Sequence, residues 1–121
     1  MDDPLAIKVR RERGCVVVAV TGEIDITTVA GLRERLFELA DDGRPLIVDL
    51  DRITFIDSAG LGALVGAARR AEAHGGSLHA VCAQPQPRKL LWMTGVDRRI
   101  PLEASVEGAL ASVAASREDP R

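Results

Sequence analysis

LIVDLDRITFIDSAGLGAL, residues 46–64, passes from a β-branched, leucine-rich run into a stripe of small and apolar residues, with a serine at the junction. Leu46 to Leu50 reads as a short strand of the kind buried on both faces. After a brief connection, Leu61, Leu64, Val65 and Ala68 recur at helical spacing, and Gly75-Gly76 ends that pattern. Ser58 therefore stands where a strand hands over to a helix. Either it starts the helix or it carries the function.

Working outward, the same strand and helix periods alternate along the chain. Upstream, Leu5 to Glu12 alternates apolar and polar as Leu5, Ile7 and Val9, a half-exposed strand. Gly14 marks a turn, and Cys15 to Thr21 reads as a more buried strand that pairs with the first as a hairpin. Val29, Leu32, Leu36 and Leu39 then give a helix, with Asp25 or Thr27 as its N-cap, closed by Gly43 and Pro45. Downstream, Leu78 to Ala83 is strand-like, and Pro85 and Pro87 bracket a loop. Arg88 to Thr94 reads as a short helix closed by Gly95. Ile100 to Leu102 is expected as an edge strand, which tolerates Pro101, and Val106, Leu110 and Val113 mark a final helix.

The expected fold is α/β: a small mixed sheet of four to five strands, opening with the hairpin and continuing by parallel crossovers, with about four helices. Residues 1–115 form one domain and residues 116–121 a disordered tail. Right-handed crossovers place the carboxyl ends of the strands on one edge of the sheet. Gly22 to Thr27, Thr54 to Gly62 and Gln84 to Arg88 gather there, where open α/β sheets hold ligands and partners. Asp25, Asp57 and Ser58 become neighbours although 33 positions separate Asp25 from Ser58.

Composition narrows the function. The 121 residues are 46% hydrophobic and 28% charged, with a net charge of −2, so no overall basic field draws the chain to nucleic acid or an anionic membrane. Phe37, Phe55 and Trp92 are too few for a base-stacking platform. Cys15 and Cys82 lie far apart in apolar contexts, without metal-ligand spacing, and read as buried reduced thiols. No metal and no cofactor is implied. The amino terminus lacks the apolar core of a secretory signal and no apolar run reaches bilayer length, so a cytoplasmic location is expected.

Ser58 as a plain N-cap would accept a backbone N–H near Leu61, worth about 1 kcal/mol. Gly60, Gly62 and Gly66 count against a sequence optimised only for its helix, since each interior Gly costs about 1 kcal/mol relative to Ala. Missing side chains do permit another backbone to approach closely. A nucleophilic serine is unsupported. Ile56 stands where a nucleophile elbow has Gly, His74 lies roughly 24 Å along the same helix, and His79 begins the next strand at the opposite edge. A phospho-accepting aspartate site built from Asp49, Asp51 and Asp57 lacks the second acidic cluster and nearby lysine that its Mg²⁺ chemistry needs. No phosphate-binding glycine loop is present either.

"VTGEIDITT" (20–28), the 46–64 block and "KLLWMTGVDRRIPL" (89–102) together resemble the STAS-domain proteins, specifically bacterial anti-sigma factor antagonists, from about Leu5 to Val113. The resemblance implies that Ser58 is a phosphoacceptor, modified by a partner that is both anti-sigma factor and ATP-dependent serine kinase, and restored by a serine phosphatase. Asp25 and Asp57 become flanking carboxylates for recognition and phosphotransfer, and Glu23, Gly60, Leu61 and Gly62 belong to the same supporting surface. Ala59 stands where many relatives carry a second serine. The protein would then be a binding switch and not an enzyme. The helix dipole and its free N–H groups would tolerate a phosphate on Ser58. STAS domains also serve as scaffolds in transporter and stress-sensor complexes, the alternative that the resemblance leaves open.

Overall fold

Residues 5–118 are described by a computed structural model in which strands and helices alternate after an opening hairpin. Strands β1 (Leu5–Glu12) and β2 (Cys15–Ile24) form that hairpin, turning through Arg13 and Gly14, both at positive φ. Helix α1 (Val29–Ala40) follows, then β3 (Leu46–Ile56), α2 (Ser58–Ala73), β4 (Leu78–Val81), α3 (Pro85–Met93), β5 (Leu102–Glu103) and α4 (Val106–Glu118). The sheet order is β1-β2-β3-β4-β5, antiparallel at the hairpin and parallel thereafter, as the strand–helix alternation predicts.

The sheet carries a core on each face. On one, Val16, Val18, Val20, Leu46, Val48, Leu50 and Leu78 pack against Leu32 and Leu36 of α1, Leu64 and Ala68 of α2 and Leu91 of α3. On the other, Cys15, Val17, Ile47 and Val81 meet Ala109, Leu110 and Val113 of α4. Burial on both faces explains why the central strands read as near-continuous apolar runs. Cys15 and Cys82 are buried free thiols, and burial raises both pKa values.

Strand β3 is longer than the expected Leu46–Leu50. Its pairing with β2 shifts register between Ala19 and Thr21 and again between Gly22 and Glu23, with β3 contributing the extra residue each time. Two bulges thus space its inward residues Leu50, Ile53 and Ile56 by three, where plain alternation gives two. Strand β2 likewise continues beyond Thr21 to Ile24, through Gly22 at φ +116°.

Four further boundaries differ from the sequence reading. Strand β4 ends at Val81 and not at Ala83, whose N–H turns to the Asp51 carboxylate at 2.7 Å. Helix α3 begins at Pro85, because proline suits the first turn, where the N–H has no helical partner. The edge strand is Leu102–Glu103; Ile100 instead fills the core, and the Pro101 carbonyl accepts the Ala80 N–H at 2.9 Å. The tail expected from Ser116 is helical through Glu118, with the Arg117 guanidinium lying over Gly14. Residues 119–121 lie outside the described residues. No helix among the described residues is long and apolar enough to cross a membrane.

Candidate functional site

Parallel pairing brings the β2 and β3 ends together. Glu23 is opposite Phe55, Ile24 is opposite Ile56, and the Asp57 N–H donates to the Ile24 carbonyl at 3.2 Å. The chain leaves these adjacent ends as Asp25-Ile26 and as Asp57-Ser58. Neighbouring strands lie about 4.8 Å apart, so the two exits form one surface.

Asp57 caps α2, not Ser58. Its backbone is extended (φ −116°, ψ −171°), and its Oδ1 accepts the Ala59 and Gly60 amides at 3.0 and 3.2 Å. Its carbonyl also accepts the Leu61 N–H at 3.0 Å. With Ile56 buried in the core, the strand is fixed one residue earlier than a serine cap requires. Ser58 is instead the first helical residue. It is exposed, and its hydroxyl makes no hydrogen bond among the described residues.

Asp25 is equally committed to the backbone. Its Oδ1 accepts the Thr27 amide at 2.9 Å, the Thr27 hydroxyl at 2.6 Å and the Thr28 amide at 3.1 Å. The Thr28 hydroxyl closes the turn by accepting the Asp25 N–H at 3.0 Å and donating to the Glu23 carbonyl at 2.8 Å. Thr28, and neither Asp25 nor Thr27, holds the N-cap position of α1, though its side chain bonds none of that helix's amides. The Thr27 hydroxyl, followed by the Thr27 and Thr28 amides, holds the Asp25 carboxyl below the usual aspartate range.

The glycines of α2 have different reasons. A Cβ on Gly60 would lie 2.7 Å from Ile24 Cγ2 and 2.8 Å from Ile56 Cγ1, so Gly60 lets the helix seat on the two strand ends. Gly66 faces Phe37 of α1, whose Cζ would be 3.3 Å from a Cβ. Gly62 is exposed, and beyond its chain neighbours and its own helix's backbone no atom would lie within 4 Å of a Cβ there, so packing does not require a glycine. Leu61, expected in the contact surface with Gly60, is only 7% exposed and belongs to the core. Gly60 and Leu61 therefore support the surface from beneath, while Glu23, Ser58 and Gly62 form part of it.

The third segment of this edge lies across β3. Asp51 Oδ1 accepts the Ala83 N–H at 2.7 Å, the Gln84 side chain donates to the Asp51 carbonyl, and Arg88 donates to the Cys82 carbonyl at 2.8 Å. Phe55, half exposed, lines a cleft of about 230 Å³ with Gln86, Pro87 and Leu90. Asp49 bonds the Asp51 amide at 3.0 Å, so these aspartates brace the loop, and no metal-holding cluster occurs among the described residues. His74 caps the far end of α2, and His79 meets Ser77 at 3.1 Å on β4. Neither histidine faces Ser58.

Sequence reasoning passed over Ile26, which is 75% exposed. No sequence signal singled it out: Ile26 lies two residues after Ile24 and three before Val29, so it fits both the strand and the helix period and reads as a core position.

Residues 6–109 match the sequence model of the STAS domain family. The chain is 32% identical over 104 residues to the anti-sigma-B factor antagonist of Bacillus subtilis, covering 86% of this chain and 95% of that protein. Its structure resembles the crystal structure of an anti-sigma factor antagonist from Mycobacterium paratuberculosis, with a TM-score of 0.84, 29% identity, and 91% and 94% of the two chains covered. It also resembles the Bacillus cell fate determinant SpoIIAA in its phosphorylated form, with a TM-score of 0.67, 27% identity, and 89% and 99% covered.

Proposed function

The chain belongs to the STAS domain family, and from that premise we propose that it is an anti-sigma factor antagonist switched by phosphorylation of Ser58. Unmodified, it captures a kinase-type anti-sigma factor and so releases a sigma factor. The partner transfers a phosphoryl group from ATP to the Ser58 hydroxyl, and a serine phosphatase reverses the step. The chain is substrate and binding surface, not catalyst. One observation carries this reading. The Ser58 hydroxyl is exposed at a helix start and caps nothing, because Asp57 does that work. The relatives support it by name, as anti-sigma factor antagonists, one of them in a phosphorylated form.

Phosphorylation adds about −1.5 to −2 charges at neutral pH. The α2 dipole favours that charge, but the Ala59 and Gly60 amides expected to receive it are already bonded to Asp57. The phosphate is therefore held outward, beside the Asp57 and Asp25 carboxylates. A unit-charge pair about 6 Å apart at an effective dielectric near 20 costs roughly 3 kcal/mol before screening. That repulsion is present in the free protein as well and so bears on the fold. Affinity falls because a partner surface fitted to the neutral hydroxyl must take up the phosphate's charge and bulk, and each 1.4 kcal/mol lost there is tenfold.

The test is to incubate the protein with each purified kinase-type anti-sigma factor of its source organism and ATP, and to map the phosphate by mass spectrometry. Phosphate on Ser58, with no label on Ser58→Ala, is the expected result. Modification mainly at Thr27, Thr54 or Ser77 would overturn the assignment.

A further inference from the structure

We propose that Ile26 is the apolar anchor of the same interface, presented by a preformed turn to an apolar pocket on the kinase-type anti-sigma factor. This rests on the reading of Ser58 given above and adds what holds the partner there. A single exposed isoleucine on a protein surface is ordinary. Ile26 differs in three ways.

First, its backbone is fixed on both sides. Asp25 Oδ1 accepts from the Thr27 amide, the Thr27 hydroxyl and the Thr28 amide, and the Thr28 hydroxyl ties the turn to Asp25 N and the Glu23 carbonyl. The Val29 N–H closes it further on the Asp25 carbonyl at 2.9 Å. Second, an isoleucine is stiff at χ1, so little freedom remains for a partner to remove. Third, its place is set by the sheet. Ile26 lies two residues beyond Ile24 and Ser58 two beyond Ile56, and Ile24 and Ile56 are paired across β2 and β3. A partner that reaches the Ser58 hydroxyl meets Ile26 in the same approach.

Asp25 then acts through Ile26 as a positioning residue, its carboxylate spent on the turn. The arrangement also sharpens the switch. Apolar contact beside Ser58 excludes water, and a phosphate forced into a desolvated contact weakens it more than one left in solvent. Moving an isoleucine side chain from water into a close-packed pocket changes affinity by more than tenfold.

The experiment titrates each purified kinase-type anti-sigma factor of the source organism with the parent protein and with Ile26→Ala, Asp25→Asn, Asp25→Ala and Ser58→Asp, by calorimetry, alongside urea unfolding of each variant. Ile26→Ala is expected to bind at least tenfold more weakly at an unchanged urea midpoint. Asp25→Asn, which keeps an acceptor, should bind like the parent, and Asp25→Ala should weaken binding. Parent-like binding by Ile26→Ala while Ser58→Asp loses the partner would overturn the anchor and leave the Ser58 switch standing. A fall in the Ile26→Ala midpoint that accompanies lost binding would assign Ile26 to the fold and also overturn it. If no anti-sigma factor binds the parent, both readings fall together.

Discussion

Asp57 and Ser58 sit side by side and divide two tasks that one residue is often asked to do. Asp57→Ala removes the bonds to the Ala59 and Gly60 amides and should cost about 1 kcal/mol, as N-cap losses do. Ser58→Ala removes an exposed hydroxyl that makes no hydrogen bond among the described residues and should stay within about 0.5 kcal/mol of the parent. Urea unfolding of the two variants checks the division; a larger loss at Ser58 would return it to the capping role. Asp25 gives a second prediction at this scale. Its pKa is depressed in the fold, chiefly by the Thr27 hydroxyl, so the turn's contribution is fully present above the ordinary aspartate value near ~3.9 and is lost as pH falls through the lower, folded value. The Thr27 amide shift, followed by NMR from neutral to acid pH, should titrate below that ordinary value in the parent. It should show no such step in Asp25→Asn.

Helix α2 and strand β3 carry the site as elements, and their glycines separate packing from function. Gly60→Ala pushes a methyl into Ile24 and Ile56, and overpacking of that kind typically costs 1–3 kcal/mol, about as much as or more than the ~1 kcal/mol gained in helix propensity. Gly62→Ala meets nothing and should stabilise the fold by up to about 1 kcal/mol. A Gly62→Ala variant that is more stable yet binds the anti-sigma factor less well would identify that glycine as a point of backbone approach. A Gly60→Ala variant more stable than the parent would contradict the packing account. The βα unit itself was legible, because Leu46–Leu50 and the Leu61, Leu64, Ala68 stripe keep their periods. The last six residues of β3 were not. Two bulges replace the period of two by Leu50, Ile53 and Ile56, a spacing that mimics loop or helix. The start of α3 was missed for a different reason: Pro85 and Pro87 read as loop punctuation, yet proline fits a helix's first turn.

Across the whole molecule, the strand–helix alternation fixes which segments share an edge, and so Asp25 and Ser58 could be placed together from sequence across 33 positions. What the sequence left hidden was which polar groups were already taken. Asp25 and Asp57 look like free carboxylates on the page, but both are bonded to backbone amides. Of these three residues, only Ser58 has no hydrogen-bond partner among the described residues. Ser58 is exposed and belongs to neither core, so a phosphate there should change the surface and spare the fold. The dipole and the neighbouring carboxylates oppose one another, and net stability should move by less than about 1.5 kcal/mol. The direct measurement is a calorimetric titration of the kinase-type anti-sigma factor that modifies Ser58, with unmodified and with stoichiometrically phosphorylated protein. The account predicts at least tenfold weaker binding after phosphorylation, at a nearly unchanged urea midpoint. Equal affinity of the two forms would contradict it.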